Sequence, residues 1–225
     1  LTLGIDRLSQ FLEPFGFNDL TGIDTSGELT GLVPSREWKR RTKHKPWFPG
    51  ETLITGIGQG FFLATPLHLA TATATLSRYG SQLRPRLVVA TEDPDTREIV
   101  GLPAEPNIAV PVINKDNWAY IIRAMTKVVH STKGTARGIS RGAKFKIAGK
   151  TGTAQVFGIK QDEEYVEEDI AKSLRDHALF VGFAPVENPR IAVAVIVENG
   201  GSGGAVAAPI ARKVMDDYLN RILIN

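Results

Sequence analysis

Three strand-forming runs follow one another in the C-terminal part of the sequence, and they constrain its fold more than any other feature. They are residues 144–157, 178–185 and 190–200. The segment Pro185 to Pro189, which joins the last two runs, contains turn formers and predicts a hairpin. Both of these runs are almost continuously apolar, which is typical of strands covered on both faces. The pattern therefore predicts an antiparallel sheet with other layers packed against it.

Four further segments have the apolar spacing, caps or stop residues of helices. They lie at residues 5–12, 66–80, 114–131 and 208–224. Residues 18–35 are dense in Gly, Thr, Ser and Asp and predict an irregular connection. The sequence thus predicts an α+β chain. Residues 1–140 are expected to be mostly helices and loops, and residues 141–225 to hold the sheet strands and a final helix that covers one sheet face.

Composition excludes several classes of site. The chain has no cysteine, so it has no disulfide framework, thiolate nucleophile or Cys-ligated metal. Its four histidines are scattered, and none has the spacing of an HExxH zinc motif. A formal charge of +3 is far below the basic footprint of a nucleic-acid-binding protein. No cofactor, metal or nucleic-acid partner is therefore predicted.

Two glycine-rich motifs do not fit nucleotide binding. GKT at 149–151 lacks the glycine that a phosphate loop needs five residues earlier, where this chain has Lys144. It also continues as a strand, whereas a phosphate loop leads into a helix. GIGQG at 56–60 has Phe61 in place of the third glycine of a dinucleotide-binding fingerprint, so it predicts a tight turn.

The segment Lys150, Thr151, Gly152 and Thr153 is the most informative candidate for chemistry. An edge-accessible strand with an ammonium and two hydroxyls can bind an extended peptide and hold its carboxylate. Gly152 would let the peptide backbone come close. The alternative for a bare KTG tripeptide is an ordinary strand, with Thr chosen for its β-propensity and Lys on a solvated face.

Further motifs occur in a fixed order along almost the whole chain. They are TGID (21–24), GLVP (31–34), REWK (36–39), GIGQG (56–60), TP (65–66), KGTAR (133–137), KTGTAQV (150–156), LRDH (174–177), GFAP (182–185) and ENGG (198–201). In this order they resemble the transpeptidase domain of class B penicillin-binding proteins. REWK, LRDH and ENGG most resemble the elongation-type penicillin-binding protein 2 of Gram-negative rods. Such an ordered set is highly specific, whereas KTG alone is not.

The resemblance implies the penicillin-binding and serine β-lactamase-like transpeptidase fold, an antiparallel sheet flanked by helices. Enzymes of this kind use SxxK with the acylated serine, SxN or SxD with a proton-shuttling serine, and KTG. None of the nine serines here has Lys three positions later, or Asn or Asp two positions later. The first two motifs precede this region in the family, and the chain starts at Leu1. Residues 1–225 are therefore expected to be the C-terminal part of a single transpeptidase domain, inactive alone.

The resemblance also implies roles for the KTG segment. Lys150 would supply positive charge beside the acyl-transfer centre, and the hydroxyls of Thr151 and Thr153 would bind the substrate carboxylate. The backbone N–H of Thr153 would contribute to an oxyanion hole, and Gly152 would allow close approach. The expected substrates are peptidoglycan stem peptides ending in D-Ala-D-Ala, and β-lactam antibiotics would acylate the same serine.

For the parent protein, the resemblance implies a role in cell elongation and cell shape. The domain would lie in the periplasm and be anchored in the inner membrane. Its partners would be a polysaccharide-polymerising membrane glycosyltransferase and the scaffold of the rod complex.

Two other functions stay open. A class A serine β-lactamase shares KTG, but it deacylates with a Glu in an ExxLN loop, and no glutamate in residues 1–149 is followed by LN at that spacing. A non-catalytic penicillin-sensing module is the second alternative. Two charged segments are also ambiguous. The basic run 36–45 favours a solvated face over a contact with an anionic cell-wall polymer or a partner protein. The acidic residues 162–169 favour a solvated loop over a lid.

Overall fold

The computed structural model describes residues 2–103, 108–111, 114–156 and 172–224. The chain divides into two compact units. The first unit comprises Leu1–Thr75 and Gly80–Pro111, and the second comprises Leu76–Tyr79 and Val112–Asn225. The acidic segment 162–169, with its lid hypothesis, lies outside the described residues. It stays a prediction that residues 1–225 belong to one transpeptidase domain, with mostly helices and loops up to residue 140 and the sheet strands after it.

The first unit is mostly helical and irregular. Its helices are α1 (Ile5–Leu12), α2 (Arg36–Lys43), α3 (Pro49–Gly56) and most of α4 (Pro66–Ser77). Two antiparallel pairs complete it, β1 (Ser81–Gln82) with β4 (Ile108–Ala109) and β2 (Ala90–Glu92) with β3 (Ile99–Gly101). The predicted helices at 5–12 and from Pro66 are confirmed. Gly16 follows the first of them in a left-handed conformation with φ 85°.

The basic run that was predicted to be a solvated face forms helix α2 and buries one of its lysines. Ser35 caps the helix, since its Oγ accepts the backbone N–H three residues later at 3.1 Å. Lys39 is only 3% exposed. Its ammonium forms an ion pair with Glu51 of α3 and lies 4.5 Å from the centroid of the Phe48 ring. The prediction was therefore wrong for Lys39, because an acidic partner and an aromatic ring compensate its burial.

Buried polar side chains also fix the irregular segment before α2. The ring of His68 is fully buried, with Nε2 2.8 Å from the backbone oxygen of Asp19 and Nδ1 2.9 Å from Thr65 Oγ1. Asn18 Oδ1 accepts the backbone N–H of Val33 at 2.7 Å. Residues 18–35 contain no regular helix or strand, so the predicted irregular connection is confirmed. These side chains supply the hydrogen bonds that a helix or strand would otherwise provide.

The second unit contains the predicted sheet. Its elements are α5 (Lys115–His130), β5 (Ala148–Ala154), β6 (His177–Ala184), β7 (Ile191–Val197) and α6 (Ala208–Ile224). The strands pair antiparallel in the order β5-β6-β7, and the hairpin between β6 and β7 is confirmed. Asn114 caps α5 through its side chain, which accepts the N–H of Asp116 at 2.7 Å. The α+β fold class is confirmed.

An apolar core surrounds the central strand β6. Phe180 on one face belongs to a cluster with Met215 of α6, so the predicted covering helix is confirmed. Phe183 on the other face packs with Ile122 of α5. Strand β6 is thus covered on both faces as predicted. Strand β7 differs, since Ile196 is 42% exposed.

The ring of Phe180 rests on two glycines of the sheet. A Cβ built at Gly149 of β5 would lie 2.3 Å from the Phe180 ring, and one built at Gly182 would lie 2.9 Å from it. The ring occupies the space that side chains would fill at both positions. Strand β5 is therefore held in place by a close contact between an aromatic ring and bare backbone.

Candidate active site

Strand β5 carries the four candidate residues and lies at an edge of the sheet. Its register with β6 pairs Thr151 with Phe180 and Thr153 with Ala178. In the described part of the chain, no strand pairs with its other edge. Among the described residues, β5 is therefore an edge strand. An open edge of this kind can accept an extended peptide as an added strand.

The side chains of β5 alternate between the two faces of the sheet. Lys150 and Gly152 share one face, and Thr151 and Thr153 share the other. Lys150 is exposed, and its Nζ donates to the backbone carbonyl oxygen of Thr151. The cation therefore stays beside the strand, where an incoming carboxylate would meet it.

The hydroxyl of Thr151 has a partner that sequence reasoning did not assign. Its Oγ1 lies 2.9 Å from Oγ1 of Thr135, within hydrogen-bond distance. Thr135 belongs to the KGTAR motif, which follows helix α5. The motif contributed to the resemblance, but its spacing alone carried no sign of a contact with Thr151.

A tight turn after α5 brings Thr135 to this position. The backbone N–H of Ala136 donates to the carbonyl oxygen of Val128 at 3.0 Å, which folds the chain back on the helix. A Cβ at Gly134 would lie 2.2 Å from that same oxygen. Only glycine fits this turn. Gly134 therefore allows the chain to bring the hydroxyl of Thr135 next to Thr151.

The connection from β7 to α6 also packs against β5 and the KGTAR turn. A Cβ at Gly203 would lie 2.6 Å from the backbone oxygen of Gly152, and one at Gly204 would lie 2.2 Å from the oxygen of Thr135. These residues begin the π-helical turn Gly203–Ala207. Two consecutive glycines therefore let the backbone lie directly against β5 and against the KGTAR turn.

The ENGG motif starts this connection and holds the segment that leads into β6. Asn199 has a left-handed conformation, with φ 54°. Its side-chain amide donates to the carbonyl oxygens of Ser173 and Arg175 at 3.1 and 2.9 Å. Its backbone N–H donates to Nδ1 of His177 at 2.9 Å. The LRDH and ENGG motifs are thus bound to one another, and the acceptor role of Nδ1 assigns the ring proton of His177 to Nε2.

His130 supports the residue that precedes β5. Its Nε2 accepts the backbone N–H of Ile147 at 3.0 Å. The pKa of His130 lies below its ordinary value because burial disfavours the charged ring, and the cations of Lys146 and Arg212 add to this effect. The neutral ring is the form that accepts this hydrogen bond.

A comparison with protein families decides the class of the chain. Residues 1–216 match the family described as the penicillin binding protein transpeptidase domain. The chain belongs to this family. Within the second unit, KGTAR contacts KTGTAQV, LRDH contacts ENGG, and His177 of LRDH pairs with Ala154 of KTGTAQV.

Relatives at high identity confirm the predicted likeness to penicillin-binding protein 2 of Gram-negative bacteria. The peptidoglycan D,D-transpeptidase MrdA of Haemophilus influenzae is 43% identical over 224 residues, which cover 98% of this chain and 34% of that protein. The chain thus spans about a third of the length of this curated relative.

Two solved structures share the transpeptidase fold. The crystal structure of Pseudomonas aeruginosa PBP2 in complex with WCK 5153 is 45% identical, with a TM-score of 0.80 over 96% of this chain and 44% of that one. The complex between PBP2 and MreC from Helicobacter pylori contains a chain that is 30% identical, with a TM-score of 0.79 over 98% of this chain and 37% of that one. The predicted transpeptidase fold is confirmed.

The described residues bring together the predicted KTG segment and two elements that were not predicted to touch it, the KGTAR turn and the connection from β7 to α6. In this part of the chain, no group of three His, Asp or Glu side chains is placed to hold a metal ion. None of its helices has the length and apolar character that a membrane span requires. Among the described residues, the candidate site presents a cation, hydroxyls and backbone groups at a strand edge.

Proposed function

We propose that this chain is the C-terminal part of a peptidoglycan D,D-transpeptidase that cross-links stem peptides ending in D-Ala-D-Ala. Family membership and the named activity of the Haemophilus influenzae relative support the proposal. The observation that carries it is the edge position of β5 among the described residues, with Lys150 on one face of the strand and Thr151 and Thr153 on the other.

The substrate would bind as an extended peptide along this edge. Lys150 would attract the terminal carboxylate and keep positive charge next to the reacting serine. The hydroxyls of Thr151 and Thr153 would hydrogen-bond the carboxylate. The backbone N–H of Thr153 would stabilise the oxyanion of the tetrahedral intermediate, a contribution of roughly 3 kcal/mol for a donor of this type.

The covalent step needs a serine that this sequence does not supply, since none of its nine serines lies in an SxxK or SxN motif. In the full-length protein, that serine would attack the carbonyl carbon of the penultimate D-Ala. The terminal D-Ala would leave with the serine proton, and an acceptor amine would then displace the serine from the acyl-enzyme. A β-lactam would acylate the same oxygen by opening its ring.

The test is the intact mass of the full-length protein before and after incubation with a fluorescent penicillin. We expect one covalent adduct, and Lys150→Ala should slow its formation by at least about a hundredfold, because the carboxylate and the serine lose their cation. Lys213→Ala, at an exposed lysine of helix α6, is the matched control. An upstream sequence without SxxK, together with no adduct, would reject the enzyme in favour of a penicillin-sensing module.

The lifetime of the adduct separates a transpeptidase from a serine β-lactamase. Water releases the acyl group quickly in a β-lactamase, so the adduct would disappear within one turnover. A penicillin adduct on a transpeptidase persists, because ring opening expels no leaving group and the acyl group keeps the place of the acceptor amine. A stable adduct would therefore support a transpeptidase over a β-lactamase.

We further propose that the domain works in the periplasm, anchored to the inner membrane by another part of the protein. Its partners there would be a membrane glycosyltransferase that polymerises the polysaccharide and the scaffold of the rod complex. The structure of the Helicobacter pylori relative with MreC supports a scaffold partner. Co-purification of the full-length protein from membranes, with and without each partner, tests this placement.

A further inference from the structure

The contact between Thr135 and Thr151 joins two hydroxyls, each of which has one proton and two lone pairs. One of the two protons lies between the two oxygens, and the other points toward a different acceptor. If Thr151 donates to Thr135, its oxygen has no proton left for a ligand. If Thr135 donates to Thr151, the Thr151 proton is available to an anion. The direction of this one hydrogen bond decides whether Thr151 can bind a carboxylate.

The surrounding backbone keeps Thr135 in place. Glycine at position 134 permits the turn, and the backbone of Gly204 lies against the carbonyl oxygen of Thr135, where a Cβ would come within 2.2 Å. The turn is thus enclosed between α5 and the connection to α6. Because the turn is held in place, Thr135 loses little conformational entropy when its hydroxyl binds Thr151.

We propose that Thr135 is a positioning residue for the carboxylate site. It donates its proton to Thr151 Oγ1 and thereby turns the Thr151 proton toward the substrate carboxylate. This inference rests on the proposed function, because it assigns Thr151 the task of binding that carboxylate. Thr135 itself makes no contact with the substrate.

The test uses the full-length protein and two probes, benzylpenicillin and its methyl ester, which lacks the anionic carboxylate. Thr135→Val keeps the shape of the side chain and removes the hydroxyl. We expect it to raise the dissociation constant of the pre-covalent complex with benzylpenicillin about tenfold, the size of a misdirected hydrogen bond to a charged group. The acylation rate constant should change by less than about twofold, since the bond acts equally before and during the reaction.

Three further variants sharpen the test. Thr135→Ser restores the hydroxyl and should recover most of the affinity. Thr132→Val makes the same change at an exposed threonine of the same segment and is the matched control. Gly204→Ala should reproduce the loss, because its Cβ would displace the carbonyl of Thr135. A Thr135→Val, Thr151→Val double variant should be no weaker than Thr151→Val alone.

The ester probe distinguishes positioning from a structural role. The Thr135→Val defect should disappear with the methyl ester, because no carboxylate is present to receive the proton. An equal defect with both probes, no defect with either, or no recovery in Thr135→Ser would overturn the inference. Failure of the proposed function has a different signature, since the unaltered protein would then form no adduct with benzylpenicillin at all.

Discussion

The two units of this chain bury different kinds of side chain. In the first unit, the fully or nearly buried groups include a lysine, a histidine and several threonines, among them Lys39, His68, Thr55, Thr73 and Thr75. In the second unit, the buried set is almost wholly apolar and is centred on the sheet. These polar groups are buried with partners of their own: His68 contacts the irregular backbone at Asp19, and the hydroxyls of Thr73 and Thr75 donate to carbonyls of α4. A sheet satisfies its own backbone and needs only an apolar cover.

This difference predicts that shortening a buried apolar side chain is most damaging in the second unit. Phe180→Ala removes a fully buried ring, and we expect it to cost about 3–5 kcal/mol of local stability. Hydrogen exchange of β6 and α6 peptides in the full-length protein measures the change. Tyr120→Ala, at a side chain 65% exposed in the same unit, should cost less than about 0.5 kcal/mol. Similar losses in both variants would contradict an apolar core centred on Phe180.

In the first unit, we expect the loss of a buried charge to reduce stability most. Lys39→Met leaves the carboxylate of Glu51 without its cation, and we expect a loss of about 2–3 kcal/mol. Exchange of peptides from α2 and α3 measures it. Arg40→Met, at the exposed neighbouring residue, is the control and should have little effect. A Lys39→Met, Glu51→Met double variant should recover part of the loss, and no recovery would reject the charge as its cause.

The smallest effect concerns pH at the junction of α5 and β5. The pKa of His130 is lowered in the folded protein, so the unfolded chain takes up a proton at a higher pH than the folded one. The stabilisation is therefore complete above a pH of about 6.5 and declines as the pH falls below it. Protection of the Ile147 amide should follow this decline. His130→Gln should abolish the pH dependence, and an unchanged profile in this variant would assign the titration to another group.

Local patterns predicted the second unit better than the first. The hairpin between β6 and β7 and the cap at Asn114 depend on residues that are neighbours in sequence. Helices α2 and α3 were missed because their stability depends on the pairing of Lys39 with Glu51, which lie twelve positions apart and carry no apolar periodicity.

The same distinction applies to the candidate site. The KTG segment and its strand edge could be predicted, since strand and motif coincide at residues 150–153. The contact of Thr135 with Thr151 could not, because a turn and a π-helical connection from two distant segments create it. Motif order indicated that KGTAR belongs to the same family as KTG, but only the fold shows that the two motifs touch.

The contact of Phe180 with Gly149 and Gly182 limits the substitutions that these three positions can accept. A methyl group at either glycine collides with the ring. A smaller residue at 180 would not make room for it, because a Cβ at Gly149 or Gly182 would still lie 2.9 or 2.8 Å from the backbone oxygens of Val181 and Ala148. The void left by a smaller residue at 180 therefore stays unfilled from the strands themselves. The two glycines and the ring are thus constrained together, and so is the backbone that carries Lys150.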